Sequence, residues 1–376
     1  MAKRGLKVGI TCYPVYGGSG VVATELGLEL ARRGHEVHFI TYAQPFRLSR
    51  FVENVYYHEV DVPIYPLFEY PPYSLALAVE MQNTAERRQL DLLHVHYAVP
   101  HATSAWLAKQ LLGGRGPKVI TTLHGTDITL VGRDPSYHAV TRFSIQKSDG
   151  LTAVSEYLRR ETVERFDVPD DRIEVIPNFV DLDVYRRDLE PCHRSQFAAD
   201  HEKVVMHISN FRSVKRVTDV VRVFARIANE IPARLVFIGD GPERPATRQL
   251  AEEEGVLDRV LYLGKQESVA EILACADLFL LPSDSEAFGL VALEAMACGV
   301  PVVASRVGGL PELVQGPAGA LRPVGDVDGM ATAGLELLEP TRWREASAAA
   351  RELAGRFDAD IIIPRYVAYY ERILAS

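Results

Sequence analysis

Glu286 and Glu294, two carboxylates separated by seven residues, are the pair in this sequence whose spacing most directly suggests chemistry. Glu286 stands in a loop rich in Pro and Ser, and Glu294 lies in the helical segment that follows. Residues 288–290 between them place backbone amides at the predicted helix start, where a phosphate binds well. Carboxylates beside such amides suit the hydroxyls of a sugar. A solvated helix acid is the alternative for Glu294, but its apolar neighbours favour a side chain that faces a cavity or a partner.

Two further segments carry groups that suit phosphate. Gly17-Gly18-Ser19-Gly20 separates the first apolar run from the first amphipathic segment, so its amides can approach an anion at a helix start. It lacks the Gly-Lys-Ser/Thr of a Walker A motif, and a tight turn capped by Ser is the alternative. Arg212, Lys215 and Arg216 cluster after a later apolar run. These cations could neutralise a diphosphate, or they could form a solvated turn.

Polar residues also gather at the ends of apolar runs in the first half of the chain. His94-Val-His96-Tyr97 and Thr121–Asp127 end two such runs, and Arg142 lies in a helical segment beyond them. Two histidines two residues apart share one face of a strand, but no further ligands with metal-site spacing join them. The pattern predicts hydrogen-bonded strand ends and no metal site.

These groups are positioned by a recurring unit, in which a short apolar run is followed by a turn and an amphipathic helix. Runs such as Leu6–Cys12 and Glu36–Thr41 are short and apolar without strict alternation, which predicts parallel strands buried on both faces. The rhythm pauses near Pro177–Asp181 and restarts at Val204–Ser209. Two such blocks predict an α/β protein with two doubly wound domains.

The pause in this rhythm also predicts the domain boundaries. The first domain is expected at residues 1–178 and the second at residues 179–356. Residues 357–376 are rich in tyrosine and predict a terminal helix whose aromatic face joins the first domain.

The composition excludes several classes of protein. A chain of 376 residues with 47% apolar and 24% charged residues is neither disordered nor collagen-like. A net charge of −9 gives no overall attraction for nucleic acid or an anionic membrane. No apolar stretch reaches the ~20 residues of a membrane span. The distant Cys12, Cys192, Cys275 and Cys298 predict no disulfide scaffold, so we expect a soluble cytoplasmic protein.

Together, these motifs resemble the retaining nucleotide-sugar glycosyltransferases of the GT-B architecture, across essentially the whole chain. The resemblance rests on the Glu286–Glu294 pair, on the glycine loop, and on four motifs: Pro177-Asn-Phe-Val-Asp181, Gly239-Asp-Gly-Pro242, Ala297-Cys-Gly-Val-Pro301 and Gly308-Gly-Leu-Pro-Glu312. It implies two Rossmann-like parallel-sheet domains that face each other across a cleft.

Three runs carry a narrower resemblance. Residues Tyr16–Gly27, Thr122–Thr129 and Ser209–Arg216 look like those of the N-acetylglucosaminyl L-malate synthases of bacillithiol biosynthesis. This likeness implies transfer of N-acetylglucosamine from UDP-GlcNAc to the hydroxyl of L-malate, with retention of configuration. It also implies a cytoplasmic bacterial enzyme with two small-molecule substrates, no cofactor, no required metal and no stable membrane association. A homodimer stays open.

The resemblance further implies which residues bind the donor. Lys215 and Arg212 are expected at the diphosphate, although the broad family usually has an arginine where Asn210 stands here. Glu286 and His124 are expected at the sugar. The other donor contacts are expected from Glu294 at the ribose, from the amides of Phe288, Gly289 and Leu290, and from Gly18.

For the acceptor, the resemblance points to four polar residues: Ser19, Tyr97, Thr122 and Arg142. A guanidinium binds a carboxylate through two parallel hydrogen bonds, which gives Arg142 a physical reason to meet a dicarboxylate. Three alternatives stay open. They are a retaining glycosyltransferase with an inositol phosphate or lipid acceptor, a sugar-nucleotide epimerase of the same architecture, and a nucleotide-sugar binding protein without catalysis.

Overall fold

The computed structural model describes residues 4–15, 17–48, 51–63, 66–189 and 193–376. Tyr16, which begins one of the runs behind the narrower resemblance, and Cys192 lie outside the described residues. The chain divides into two compact units. The first comprises residues 1–178 and 360–376, and the second comprises residues 179–359.

A parallel sheet of seven strands forms the centre of the first unit. Its strands are β1 (Lys7–Thr11), β2 (Glu36–Thr41), β3 (Val55–Glu59), β4 (Leu92–His96), β5 (Lys118–Leu123), β6 (Gly150–Ala153) and β7 (Ile173–Val175). Across the sheet they lie in the order β3-β2-β1-β4-β5-β6-β7. The central strands β1, β4 and β5 are buried almost throughout, as continuous apolar runs predict.

Helices cover the faces of this sheet. They are α1 (Gly18–Arg32), α2 (Tyr73–Arg88), α3 (Thr103–Leu111), α4 (Thr126–Thr129), α5 (Pro135–Lys147) and α6 (Glu156–Phe166). The turn into α1 needs a glycine, because a Cβ on Gly20 would stand 2.5 Å from the carbonyl oxygen of Tyr13. The glycine loop therefore lies tightly against the chain that leaves β1.

The second unit repeats this architecture with six parallel strands. They are β8 (Lys203–Ile208), β9 (Ala233–Ile238), β10 (Val260–Tyr262), β11 (Leu278–Leu281), β12 (Val302–Ser305) and β13 (Gly319–Arg322). Their order is β10-β9-β8-β11-β12-β13. The helices are α7 (Val217–Glu230), α8 (Arg244–Glu253), α9 (Ala270–Leu273), α10 (Leu290–Ala297), α11 (Leu310–Leu313), α12 (Val327–Leu338) and α13 (Pro340–Gly355). The predicted pair of parallel-sheet domains is confirmed.

Helix α7 anchors the strand from which the cation cluster emerges. Its residues Val220, Phe224 and Ile227 are fully buried in one apolar core with β8 and β9. Burying side chains of this size contributes roughly 1.5–3 kcal/mol each, before entropy is counted. The segment between β8 and α7 is therefore fixed at both ends by the core.

Strand β3 was not predicted, and its sequence explains why. Val-Tyr-Tyr-His-Glu contains one aliphatic residue, and all five positions are exposed or half-buried. β3 is one of the two edge strands of this sheet and pairs with β2 in parallel. A half-exposed edge strand lacks the continuous apolar run that marked the central strands.

The C-terminal helix α14 (Ala359–Ala375) returns to the first unit. The Tyr369 hydroxyl accepts a hydrogen bond from the Leu151 amide at 2.7 Å and donates one to the Leu151 carbonyl at 2.9 Å. The Tyr370 hydroxyl bonds the Nδ1 of His94 at 2.7 Å. The aromatic face of this helix thus packs on the sheet of the first unit and reaches a histidine of β4.

Candidate active site

Glycines bring the loops at the carboxyl ends of β8 and β9 into backbone contact. Gly239 has a φ of +108°, and a Cβ there would stand 1.9 Å from the Ser209 carbonyl oxygen. A Cβ on Gly241 would stand 2.0 Å from the carbonyl oxygen of Asn210. No side chain fits at these contacts, so the predicted Gly-Asp-Gly-Pro motif works as a support for the cation loop.

The loops after β11 and β12 are joined in the same way. Gly308 has a φ of +56°, and its Cβ would lie 1.7 Å from the Glu286 carbonyl oxygen. A Cβ on Gly309 would lie 2.3 Å from the carbonyl oxygen of Ala287. The Gly309 amide donates to the Glu286 carbonyl at 3.0 Å. The backbone that carries Glu286 is thereby held against the Gly-Gly motif.

The cation loop and the Glu286 loop also meet each other. The Asp284 amide donates to the Val214 carbonyl at 2.8 Å. The Lys215 ammonium donates to Oε1 of Glu286 at 2.5 Å, and the hydroxyl of Ser283 donates to the same oxygen at 3.0 Å. The side chains of Lys215 and Glu286 are 22% and 12% exposed, so this ion pair is partly open to solvent.

The three clustered cations have different surroundings. Arg216 donates to the buried Asp219 at 2.7 Å and to Asp284 at 3.2 Å, so it ties α7 to the Glu286 loop. These hydrogen bonds raise the pKa of Arg216. Arg212 is exposed, and among the described residues its side chain makes no hydrogen bond or ion pair. Lys215 and Arg212 are thus the cations available to an anion, and Arg216 has a structural role.

A buried histidine shapes the start of the cation loop. The Nδ1 of His207 donates to the Leu280 carbonyl, and its Nε2 lies 2.8 Å from the Ser209 hydroxyl. That hydroxyl accepts the amide of Phe211 at 3.2 Å. Phe211 is fully buried and has a φ of +45°, an uncommon conformation for a residue with a side chain. Burial lowers the pKa of His207 to about 4, so the neutral imidazole is the bonding form at neutral pH.

Glu294 lies in the interior beside a tyrosine that the sequence analysis did not single out. Its side chain is 5% exposed, and Oε1 accepts the Tyr185 hydroxyl at 2.7 Å. Arg351 on α13 donates to the Tyr185 carbonyl and, at 3.0 Å, to that of Leu182. Glu294 is therefore not the solvated helix acid that was the alternative. The pairing with Tyr185 spans 109 residues, so no local pattern could have shown it.

The remaining predicted donor residues of this unit lie at the start of α10. Phe288 is 4% exposed, and its ring packs edge-on against Phe357 at 5.5 Å. Gly289 has a φ of +97° and precedes Leu290, the first residue of α10. A Cβ on Gly289 would meet the Leu310 side chain at 2.5 Å. This segment can therefore offer backbone amides, while the Phe288 ring belongs to the core.

In the first unit, the ends of β1, β4 and β5 bring several predicted residues together. The Tyr97 hydroxyl donates to the Ser19 hydroxyl at 2.9 Å, one residue beyond Gly18 at the start of α1. The Tyr97 and His124 rings lie 5.3 Å apart. Ser19, Tyr97 and His124 thus form one polar patch at the carboxyl edge of this sheet.

The buried histidines beneath this patch form two separate hydrogen-bonded groups. The Nε2 of His94 lies 2.7 Å from the Thr122 hydroxyl, which also meets Thr152 at 2.6 Å. The Nδ1 of His96 lies 2.8 Å from the Nε2 of His124. Burial lowers the pKa of His94 to about 3 and, with repulsion from His101, that of His124 also to about 3. Thr122 is fully buried, and its hydroxyl is already engaged with His94 and Thr152.

Arg142 does not join the other predicted acceptor residues through any hydrogen bond within the described ranges. Its guanidinium pairs with Asp167 at 2.8 Å, and the two side chains are 43% and 88% exposed. Asp167 follows the C-terminal end of α6. An exposed ion pair of this kind is worth little, about 0–1 kcal/mol, so a bound carboxylate could replace Asp167 at low cost.

A carboxylate that the sequence analysis did not select lies under the same patch. Asp127 is 1% exposed and accepts three backbone amides, those of Ala98 at 3.1 Å, Gly125 at 3.0 Å and His124 at 3.3 Å. Burial raises the pKa of Asp127 to about 6, against the effect of these hydrogen bonds. Sequence reasoning could have selected Asp127 from its position in the run Thr122–Thr129.

Neither a membrane-spanning helix nor a metal site is present in the part of the chain that the structure describes. No helix there is long and apolar enough to cross a bilayer. No group of three or more His, Cys, Asp or Glu side chains in those residues is arranged to hold a metal ion. Cys12, Cys275 and Cys298 are buried thiols that form no disulfide with one another.

The chain belongs to the glycosyltransferases, as its sequence matches show. Residues 16–184 match the model of glycosyltransferase family 4, and residues 202–340 match that of glycosyl transferases group 1. The N-acetyl-alpha-D-glucosaminyl L-malate synthase of Bacillus anthracis is 51% identical over 373 residues, which cover 98% of this chain and 97% of that protein. The D-inositol 3-phosphate glycosyltransferase of Mycolicibacterium smegmatis is 30% identical, covering 96% of this chain and 87% of that protein.

Solved structures share the fold. Sucrose-phosphate synthase from Thermosynechococcus elongatus superimposes with a TM-score of 0.82 at 22% identity, covering 98% of this chain and 99% of that one. Anabaena HepE in complex with UDP and glucose gives a TM-score of 0.80 at 20% identity, covering 96% and 98%. The predicted GT-B architecture is thereby confirmed.

The buried histidines predict that stability falls in mild acid. Histidine ordinarily titrates near 6.5, whereas burial lowers the pKa of His94 to about 3 and those of His101 and His207 to about 4. Below pH 6.5 the unfolded chain therefore binds protons that the folded chain does not bind until about pH 4. The free energy of unfolding should be highest above pH 6.5 and fall by up to about 1.4 kcal/mol per pH unit for each such histidine.

Urea unfolding at pH 7.5, 6.0 and 5.0 measures this effect. His207→Asn should reduce the pH-dependent loss, and the exposed His201→Asn should leave it unchanged. A free energy of unfolding that is constant from pH 7.5 to 5.0 would contradict the interpretation of these imidazoles as buried and neutral.

Proposed function

We propose that this glycosyltransferase transfers N-acetylglucosamine from UDP-GlcNAc to the hydroxyl of L-malate, with retention of configuration, as the first step of bacillithiol biosynthesis. The observation that carries the proposal is the 51% identity to an L-malate synthase along 98% of this chain. The geometry of the two sheet edges supports it, because one presents cations and carboxylates and the other presents hydroxyls and an imidazole.

The donor would be bound mainly by the second unit. Lys215 and Arg212 would bind the diphosphate together with the amides at Phe288–Leu290. Glu286 would contact the sugar, and Glu294 would bind the ribose hydroxyls. A carboxylate accepts hydrogen bonds at both oxygens, so Glu294 can hold a ribose while it keeps Tyr185. Gly18 and His124 would complete the donor contacts.

Charge development explains the proposed role of Lys215. When the bond between the sugar C1 and the phosphate oxygen breaks, negative charge grows on the UDP diphosphate. An ammonium has three donors, so Lys215 can keep Glu286 and still donate to phosphate oxygens. A contact that strengthens as the leaving group departs lowers the barrier rather than only tightening binding. With retention in one step, a leaving phosphate oxygen would accept the proton of the attacking hydroxyl.

The acceptor would meet the polar patch of the first unit. Ser19 and Tyr97 offer paired hydroxyls, and Arg142 would exchange Asp167 for a malate carboxylate. Thr122 would support the patch from beneath, because its buried hydroxyl is bonded to His94. The proposal includes no metal cofactor.

An acceptor panel tests the function. UDP release from UDP-GlcNAc would be followed with L-malate, D-malate, succinate and 1D-myo-inositol 3-phosphate, with and without EDTA. Succinate is the matched control, because it has two carboxylates and no hydroxyl. We expect release only with L-malate, unchanged by EDTA. Release with the inositol phosphate alone would favour the chemistry named for the Mycolicibacterium relative, and loss in EDTA restored by a metal would contradict the metal-free mechanism.

A lysine substitution tests the donor side. Lys215→Ala should lower kcat on the order of 10²-fold or more, by comparison with removal of one oxyanion donor, while UDP-GlcNAc affinity changes much less. Lys203→Ala, at the amino end of the same strand β8, is the matched control and should retain full activity. Steady-state UDP release and calorimetry of UDP-GlcNAc give the two quantities. Wild-type turnover in Lys215→Ala would remove this residue from the mechanism.

A further inference from the structure

The carboxylate of Asp127 links two loops that carry predicted substrate residues. Its Oδ2 accepts the amide of Ala98, the residue after Tyr97, at 3.1 Å. Its Oδ1 accepts the amides of Gly125 at 3.0 Å and His124 at 3.3 Å. A carboxylate bonded by several amides is a strong and directional acceptor, so one side chain fixes the chain leaving β4 and the chain leaving β5.

Both loops contain a residue with a positive φ, and the one at Tyr97 needs such support. Tyr97 has a φ of +88° and a ψ of +137°, a region that is almost restricted to glycine. Gly125 has a φ of +113°. Holding a residue with a side chain in this region costs of order 1–3 kcal/mol. The structure must supply interactions that offset this cost.

The bonds around Tyr97 supply them on both sides. The Tyr97 amide donates to the Thr122 carbonyl at 3.0 Å. The Ala98 amide, whose direction is set by the ψ angle of Tyr97, donates to Asp127. In this conformation the Tyr97 hydroxyl reaches Ser19 at 2.9 Å, and the Tyr97 ring lies 5.3 Å from that of His124. An ordinary β conformation at Tyr97 would turn the side chain away from both.

We propose that Asp127 is a positioning residue for the acceptor side of the reaction, which holds Tyr97 and His124 in the arrangement that meets the acceptor and the donor sugar. This inference rests on the proposed function, because it assigns those two residues to substrates. Asp127 touches no substrate itself, and it acts through the backbone of its two neighbours.

Asp127→Asn tests the proposal with little change of shape. Its amide nitrogen cannot accept a hydrogen bond, so at least one of the three backbone amides loses its partner. We expect kcat/KM for L-malate to fall on the order of tenfold or more, with UDP affinity within about twofold of wild type by calorimetry. Asp149→Asn is the matched control, since Asp149 also accepts a backbone amide, that of Val119 at 2.7 Å, at the amino edge of the same sheet.

Two readouts separate positioning from general stability. Hydrogen exchange of the Ala98 and Gly125 amides should accelerate in Asp127→Asn and stay unchanged in Asp149→Asn. In a double-mutant cycle with Tyr97→Phe, the effects on kcat/KM should be less than additive, because both changes disturb one contact. Should Asp127→Asn not fold, Asp127→Glu, which keeps the charge and shifts its oxygens, gives the same readouts.

Normal malate kinetics with accelerated exchange would overturn the proposal, since Asp127 would then stabilise the loops without serving the reaction. Unchanged exchange at both amides would also overturn it. If the wild-type enzyme transferred to no acceptor in the panel, the proposed function would fail, while the exchange data would still decide whether Asp127 holds the two loops.

Discussion

At Gly308 the backbone of the second unit lies so close to the Glu286 carbonyl oxygen that an added Cβ would stand 1.7 Å from it. Close contacts of this kind recur at Gly309, Gly239 and Gly241, always with a carbonyl oxygen of a neighbouring loop. They join the loops in two pairs, those after β8 and β9 and those after β11 and β12, and the Asp284 amide joins the two pairs at the Val214 carbonyl. Only with the loops at this distance can Lys215 and Glu286 form their ion pair.

In the first unit, side chains rather than glycine contacts position the loops of the site. Its site residues also follow neighbouring parallel strands, but Asp127 and the buried histidines hold them in place. Buried polar groups are costly unless each finds a partner, and Tyr370 and Thr122 provide one for each ring nitrogen of His94. The two sheet edges thus reach ordered polar surfaces by different means, backbone contact in one and buried hydrogen bonds in the other.

Sequence patterns predicted the parts of this structure that depend on local spacing. Apolar runs located the central strands, and α10 begins at Leu290, within residues 288–290 where a helix start was predicted. Local spacing does not predict contacts between residues that lie far apart in the sequence. Lys215 meets Glu286 across 71 residues, and nothing in the cation cluster showed that Arg216 would be the one bound by Asp219.

Two misses have the same physical origin. Sequence patterns assign Tyr185 no role, because its hydroxyl becomes meaningful only beside Glu294. Sequence patterns place Asp127 at the end of a polar run and assign it no role, because its three amide partners come from two separate loops. The resemblance to glycosyltransferases implied a role for each site residue. Spacing alone is compatible with several classes of protein and assigns no such roles.

Calorimetry of UDP-GlcNAc binding to Gly308→Ala and Gly316→Ala tests directly whether backbone contact between loops builds the donor site. Both glycines have a φ of +56°, so both substitutions carry the same backbone cost, but a Cβ at Gly316 meets nothing within 4 Å. If backbone contact builds the site, Gly308→Ala should weaken donor binding on the order of tenfold or more, a loss of about 1.4 kcal/mol. Gly316→Ala should bind the donor like wild type. Equal, wild-type affinity in a folded Gly308→Ala protein would contradict it.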